Sequence, residues 1–262
     1  MTLYIKNYSS YIDDGLDIKK ELKQRYKIDT RRQDRFIHLA VYGAALLKQK
    51  CEISANDELY LTSGVGNIDI VQKTNTYMFE ESEALKLFDF INLLGNTTSY
   101  YVAKTLGITG KNIFQISDNF TYINTLLSIY SSLRESKKDA IICTIDLISN
   151  PEQSIKRVLG VDEETKVVSS VNYQKLSLKK EGAIASIEFD IQSYSLDKLK
   201  EKIDMQKAFF SPRCSIKKDT DFFETIASYE VNRAIKERRD MVFVDCFEDR
   251  YKIIKSKNEK LY

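Results

Sequence analysis

The sequence predicts an α/β protein built around a layered, mixed sheet. Short runs of β-branched and aromatic residues alternate along the chain with longer runs whose apolar residues recur at helical spacing. One strand-like run, "DAIICTIDLI" (139–148), is almost continuously apolar, as expected of a strand that is covered on both faces. At 262 residues, with 43% hydrophobic and 30% charged residues, the chain is long enough to bury a substantial core. Strands alternating with helices on this scale favour the α/β class.

Composition excludes several classes of function. The 40 basic and 38 acidic residues give a net charge of +2, which is no electrostatic footprint for nucleic acid or an anionic membrane. The cysteines are far apart and have no CxxC spacing, which predicts neither a zinc site nor a disulfide framework. The N-terminus has no signal-peptide pattern, and no apolar run reaches the ~18 residues of a membrane span. We therefore expect a cytoplasmic protein with no membrane span, nucleic-acid partner, metal or cofactor.

The first 150 residues show alternating strand and helix patterns. The helical patterns have apolar residues on one face and charged residues at their ends, and glycine closes the second of them. We expect residues 112–117 to form a central strand that leads directly into the third helix, and residues 83–96 to form a loop. The expected strands are 3–12, 58–66, 112–117 and 139–148, and the expected helices are 31–50, 97–106 and 119–135.

The remaining residues continue the alternation in a shorter form. The segment "EGAIASIEFDIQ" (181–192) predicts another strand. Helical spacing recurs in "SLDKLKEKI" (195–203) and in "TDFFETIASYEVNRAIKER" (220–238). The segment "DMVFVDCFEDRYKIIK" (240–255) predicts a terminal hairpin or pair of strands.

Five of these segments, in this order, resemble the β-ketoacyl synthase family of the thiolase-like superfamily. The resemblance covers roughly residues 1–190. It implies an α/β thiolase-like layered fold, mainly the N-terminal half, with a shortened C-terminal part. Residues 1–192 would be a ketosynthase-like N-terminal domain, and residues 193–262 an abbreviated C-terminal extension packed on it. The five segments are "DTRRQDRFIHLAVYGAALL", "ELYLTSGVGN", "FDFINLLGNTTSYYVAKTLGITGKN", "DAIICTIDLIS" and "LKKEGAIASIEF".

The resemblance also implies a degenerate nucleophile position. Active members of the family have a cysteine where this chain, counted from Gly110 without a gap, has Asn119, next to Asp118. Asn119 cannot form an acyl thioester, and the single histidine, His38, lies in the first long helix, so no Cys-His-His site is expected. We assign no catalytic residue. Asp118 and Asn119 are expected instead to cap the N-terminus of the following helix.

The function that the resemblance implies is therefore that of a non-catalytic subunit similar to a chain-length factor. It would pair with an active β-ketoacyl synthase in fatty-acid or polyketide/aryl-polyene-type biosynthesis. Family members pair antiparallel across a two-fold axis through the strand before the nucleophile helix, here "NIFQIS", and a partner loop closes the acyl tunnel. The residues expected at the acyl tunnel or dimer interface are Phe90, Leu93, Leu94, Phe114, Ile116 and Phe120.

Alternatives remain open at this point. The chain could be a divergent acyl-thioester enzyme, a decarboxylase or acyltransferase, that uses Asp118 and Asn119, or it could be a homodimeric scaffold. The lysine-rich segments "LSLKKEG" and "KIIKSKNEK" are candidate contacts for an acidic acyl carrier protein. Cys214 and Cys246 lie in more polar stretches, where they could be exposed, but no histidine partner lies nearby in the sequence; Cys143 is expected to pack as a small hydrophobic residue.

Overall fold

The computed structural model describes residues 1–148, 156, 163–164, 166–214 and 224–259. Within them, nine strands form one mixed sheet in the order β3-β2-β4-β5-β1-β6-β9-β8-β7. The strands are Thr2–Ile12 (β1), Glu58–Ser63 (β2), Asn112–Ile116 (β3), Ala140–Asp146 (β4), Ser170–Ser177 (β5), Ala185–Phe189 (β6), Phe209–Phe210 (β7), Met241–Phe247 (β8) and Arg250–Asn258 (β9).

The sheet has a parallel part and an antiparallel part. β2 pairs in parallel with both β3 and β4, so the carboxyl ends of these three strands lie at one edge. β5 runs antiparallel between β4 and β1. β1 then pairs with β6, β6 with β9 and β9 with β8, all antiparallel, and the two-residue β7 adds to β8 in parallel. Among the described strands, β3 pairs with β2 alone and therefore forms one edge of the sheet.

Helices pack on both faces of this sheet. In the described residues the α-helices are Ile18–Gln24 (α1), Arg35–Lys48 (α2), Ile68–Asn75 (α3), Leu87–Leu93 (α4), Gly95–Leu106 (α5), Thr121–Ser136 (α6), Leu196–Lys202 (α7) and Ile226–Lys236 (α8). A π-helical turn, Thr76–Glu80, continues α3. Asp34 begins α2, because its carboxylate accepts a 2.9 Å hydrogen bond from the Ile37 amide.

Two separate apolar cores result from the alternation of side chains along the strands. Tyr60 and Ile142 point to the face that α6 and α8 cover. Leu61 and Cys143, each one residue further along, belong to the opposite core with α1, α2 and α5. Every residue of β4 is buried, which agrees with its continuous apolar sequence. The end of β4 therefore lies between two helical layers, next to the N-termini of α6 and α8.

The expected α/β class with a mixed sheet is confirmed, but two local expectations are wrong. Residues 83–96 are not simply a loop, because α4 occupies Leu87–Leu93. Residues 112–117 lead into a helix as expected, yet β3 lies at the sheet edge rather than in its centre. Helices α1 and α3 and strands β5 and β7 were not anticipated. The expected domain boundary at residue 192 falls after β6, and the sheet continues across it through β9; the division itself remains a prediction.

Candidate functional site

A sharp turn joins β3 to α6 at the end of the parallel strands. The amide of Ser117 donates a 3.1 Å hydrogen bond to the Ser63 carbonyl, which ties the turn to β2. Phe120 is the residue before the helix and has a left-handed backbone, with φ 46° and ψ 33°. Residues other than glycine rarely adopt this conformation, and its strain is often found at functional turns. We call residues 117–120 the elbow.

The expected capping role of Asp118 and Asn119 is wrong. Phe120 occupies the N-cap position of α6, and among the described residues no side chain makes a capping hydrogen bond there. The Asn119 amide nitrogen instead contacts the Asp118 carboxylate at 3.2 Å, while the Asn119 carbonyl accepts hydrogen bonds from Ser117 and Asn124. The left-handed turn at Phe120 places both side chains outside the first helical turn, too early to reach its free amides.

The Phe120 side chain is buried beneath the elbow. Its ring packs edge-on against Phe247 at a centroid distance of 6.5 Å. The Lys252 Nζ lies 5.1 Å from the Phe120 ring centroid and donates a 3.3 Å hydrogen bond to Asn124. Burial lowers the pKa of Lys252. An aromatic ring and a lysine from the C-terminal strands thus occupy the space under the turn.

A buried carboxylate joins three elements behind the elbow. Asp146, at the end of β4, accepts hydrogen bonds from the Gly64 amide at 2.8 Å and from the Ser63 hydroxyl at 3.2 Å. The amide and hydroxyl of Thr225, just before α8, donate to its other oxygen at 2.8 and 2.7 Å. Burial raises the pKa of Asp146, although these donors oppose the effect. The group is therefore a structural link between β2, β4 and α8.

An ion pair lies next to this link. Arg213 contacts the Glu224 carboxylate at 2.9 Å and also donates to the Asp118 carbonyl of the elbow. The Thr121 hydroxyl, at the start of α6, donates to Glu224 at 3.2 Å. Burial raises the pKa of Glu224, and it raises the pKa of Asp245 to about 6 despite the nearby Arg213 guanidinium. We call Arg213, Glu224, Asp146 and Asp245 the charged cluster.

The elbow offers poor chemistry for acyl transfer. Asp118 is exposed and Asn119 half-buried, and neither carries a group that forms a stable acyl intermediate with a thioester. His38 lies in α2, where its Nε2 is 3.2 Å from the Thr30 carbonyl oxygen. Cys143 is buried in β4, as expected. The turn is a strand-to-helix junction with a left-handed residue, and neither Asp118 nor Asn119 is a thiol or hydroxyl nucleophile.

The other side of the elbow exposes apolar side chains. Phe90, Leu94 and Ile116 are 51%, 45% and 55% exposed. Leu93 and Phe114 are half-buried, and Phe114 packs against Gly95 at the start of α5, which joins α4 to the β3 edge. Other apolar side chains on neighbouring elements are also exposed: Val71, Met78, Phe79, Leu87 and Phe88. We call these exposed side chains of α3, the π-helical turn, α4 and β3 the apolar face. Of the six predicted interface residues, Phe120 alone lies away from it, beneath the elbow.

A cavity of about 690 Å³ lies between the α1–α2 connection, α2 and α5. Among the described residues that line it, Asp29 is the one acidic residue, and Arg31 contacts it at 2.8 Å. Tyr26, Tyr100 and Tyr101 supply aromatic surface. The cationic lining residues are Lys27, Arg31, Arg32, Lys48 and Lys104. This cavity was not predicted, because its residues come from segments far apart in the sequence.

Two other kinds of site were sought in the same part of the chain. In the residues that the structure describes, no group of three or more His, Cys, Asp or Glu side chains is arranged to hold a metal ion. No helix there is long and apolar enough to cross a membrane.

Comparisons with known proteins bear on the fold. No family model matches the sequence, and no curated protein matches it. Among solved structures, the chain is similar to the ishigamide ketosynthase/chain length factor, with a TM-score of 0.73, 10% identity and coverage of 99% of this chain and 100% of that one. It is also similar to the ketosynthase ApeO in complex with its chain length factor ApeC from Xenorhabdus doucetiae, with a TM-score of 0.61, 12% identity and coverage of 97% and 99%.

A third similar structure is the 3-oxoacyl-(acyl carrier protein) synthase III of Pseudomonas aeruginosa PAO1. It has a TM-score of 0.53 and 10% identity, and the match covers both chains completely. At these identities the likeness concerns the fold. The predicted α/β thiolase-like layered fold is confirmed.

Proposed function

We propose that this chain is a non-catalytic, chain-length-factor-like subunit that pairs with an active β-ketoacyl synthase in fatty-acid or polyketide/aryl-polyene-type biosynthesis. The observation that carries the proposal is the elbow, where a ketosynthase-like strand-to-helix turn presents Asn119 and Phe120. Counting along the sequence assigns the degenerate nucleophile position to Asn119, whereas the left-handed conformation falls on Phe120. Neither side chain can accept an acyl group, so the proposal is the same for either assignment.

The apolar face supports pairing. An open strand edge beside exposed aromatic and aliphatic side chains is an aggregation hazard for a monomer. A two-fold-related partner would extend the sheet at β3 and bury Phe90, Leu93, Leu94 and Ile116. Phe120 would not take part in this contact, because its ring fills the space beneath this chain's own elbow. An active synthase is the preferred partner because a productive pair needs one nucleophile.

The cavity beside α2 and α5 supports an acidic acyl carrier protein as a further partner. Five cationic side chains and one acidic side chain line it, although the whole chain is almost neutral. Lysines in the segments expected to make this contact already have partners: Lys180 contacts Glu259 at 2.8 Å and Lys257 contacts Glu188 at 2.9 Å. Electrostatic attraction of an acidic carrier is therefore better supplied at the cavity.

Affinity purification from the native host tests the pairing. Tagged wild-type protein is expected to recover a ketosynthase that contains the active-site cysteine. Combined substitution of Phe90→Glu, Leu94→Glu and Ile116→Lys should abolish recovery. Ile191→Lys is the matched control, because Ile191 is 66% exposed but lies outside the apolar face. Recovery of this chain alone as a dimer would favour the homodimeric scaffold, and a well-behaved monomer at micromolar concentration would contradict pairing.

Intact-mass measurement tests the absence of catalysis. After incubation with an acyl thioester, the purified chain is expected to keep its unmodified mass. A stoichiometric acyl adduct would contradict the proposal, and peptide mapping would then show which residue carries it. An adduct or decarboxylation that disappears with Asp118→Ala would favour the divergent-enzyme alternative.

A further inference from the structure

Cys214 and Cys246, which we call the thiol pair, belong to one buried apolar cluster in the C-terminal part of the sheet. Both are buried, at 2% and 7% exposure, although their polar sequence neighbours left exposure open. The Cys214 thiol lies 3.7 Å from the Val244 carbonyl oxygen of β8, and Cys246 is two residues further along that strand. Val244 and Cys246 share one face of β8 because side chains alternate along a strand. Cys214 packs on that face in the same apolar cluster.

The turn that carries Cys214 follows β7, the outermost of the described strands on this side of the sheet. β7 has two residues, and after it the Ser211 amide donates a 2.8 Å hydrogen bond to the Val244 carbonyl. The Cys214 amide closes the turn by donating to the Ser211 carbonyl at 2.8 Å. A short strand at a sheet edge opens more easily than the core. Local opening of residues 209–214 would therefore expose the thiol without unfolding the sheet.

The thiol pair is linked to the elbow through its sequence neighbours. Arg213, next to Cys214, contacts Glu224 and the Asp118 carbonyl. Asp245, next to Cys246, lies in the field of the same guanidinium. Anchoring Cys214 to β8 would consequently hold Arg213 in the charged cluster and against the elbow.

We propose that Cys214 and Cys246 form a reversible disulfide that locks the turn after β7 and, through Arg213, the elbow. The oxidant is a small-molecule disulfide. One thiolate attacks it and displaces a thiolate, and the second cysteine then attacks the resulting mixed disulfide and displaces the other. The protein loses two protons and two electrons, and the small disulfide is reduced to two thiols. The inference does not depend on the proposed partner.

The first experiment measures the bond directly. Wild-type protein is equilibrated with mixtures of reduced and oxidised glutathione, quenched with acid, unfolded and alkylated, and its mass is then measured. Cys51 and Cys143 should remain alkylated throughout, while the other two thiols are lost together. Peptide mapping should show Cys214 linked to Cys246. Four alkylated thiols under oxidising conditions, or only mixed disulfides with glutathione, would overturn the proposal.

The second experiment measures the effect on the elbow. Hydrogen exchange of the amides of residues 117–121 and 211–214 should be slower in the oxidised protein, on the order of tenfold. Cys214→Ser and Cys246→Ser should each remove this difference, whereas Cys51→Ser should retain it. If the serine variants do not fold, the wild-type comparison and peptide map still decide the matter. A linked pair with unchanged exchange at residues 117–121 would overturn the coupling to the elbow.

Discussion

The two sides of the elbow differ in what they offer to other molecules. Behind it, the charged cluster and the Phe120 ring fill the interior, and each buried charge has a partner or a set of hydrogen-bond donors. In front of it, the apolar face is exposed beside the edge of β3, which pairs with β2 alone among the described strands. A catalytic elbow needs the opposite arrangement, with an accessible cavity behind the turn. The contrast shows a filled interior behind the elbow and an exposed apolar surface in front of it.

The largest expected effect is a loss of folding stability when a charge is removed from the interior behind the elbow. Replacing Arg213→Ala removes the cation that contacts the buried Glu224 carboxylate and should lower the free energy of unfolding by about 3–5 kcal/mol. Lys200→Ala is the control, since Lys200 contacts Asp197 at 3.8 Å with both side chains largely exposed, and should cost no more than about 0.5 kcal/mol. Urea denaturation measures both. Equal losses would mean that the charged cluster does not stabilise the interior.

A second effect on the same side depends on pH. Burial raises the pKa of Asp245 to about 6, above the unfolded value of about 3.9. The folded state therefore binds this proton more tightly. The stabilisation is full below about pH 4 and is lost as the pH rises through 6, by no more than about 3 kcal/mol for this group. Asp146 and Glu224 act in the same direction, because burial also raises the pKa of each.

Asp245→Asn tests this dependence. The variant should show a shallower fall in the free energy of unfolding between pH 4 and 7 than the wild type. Urea denaturation at several pH values measures the slope, and Asp197→Asn, at an exposed carboxylate, serves as the control. If the free energy of unfolding of the wild type and of Asp245→Asn fell with pH at the same slope, Asp245 would not be the source of the pH dependence.

The sequence and the structure agree best where the signal is local. The continuous apolar run of β4 and the helical spacing of α2 and α6 predict buried elements, and the structure has them. The charged cluster could not be predicted, because Arg213, Glu224 and Asp245 meet only after the C-terminal strands pair with β6. The position of Phe120 was also inaccessible, since a left-handed backbone at a phenylalanine has no sequence signal.

Alanine substitution at two glycines, one on each side of the elbow, compares how tightly the two sides are packed. A Cβ at Gly64 would lie 2.2 Å from the Cβ of Glu224, which Arg213 and Thr121 hold in place. Gly64→Ala should therefore destabilise the fold by about 1–3 kcal/mol through overpacking. Thermal and urea denaturation measure the loss.

Gly95→Ala is the matched substitution on the outer side. Its Cβ would lie 2.4 Å from the Phe114 ring, but that ring is half-exposed and can rotate away. Alanine also favours the helix that begins at Gly95, so the net cost should stay below about 1 kcal/mol. A larger loss of unfolding free energy for Gly95→Ala than for Gly64→Ala would contradict the expectation that the interior side accommodates an added methyl group less well than the outer side.

The smallest expected effect concerns the apolar face in the isolated chain. Leu94→Glu and Ile116→Lys should each change the free energy of unfolding of the monomer by no more than about 0.5 kcal/mol, because each side chain is already about half exposed. Denaturation should be measured at a protein concentration low enough to keep the chain monomeric, because dissociation would otherwise add to the apparent loss. Sedimentation velocity at the same concentration checks this condition. A loss of 2 kcal/mol or more in the monomer would show that these side chains support the fold itself. Unchanged stability together with lost partner recovery would instead assign the apolar face to association.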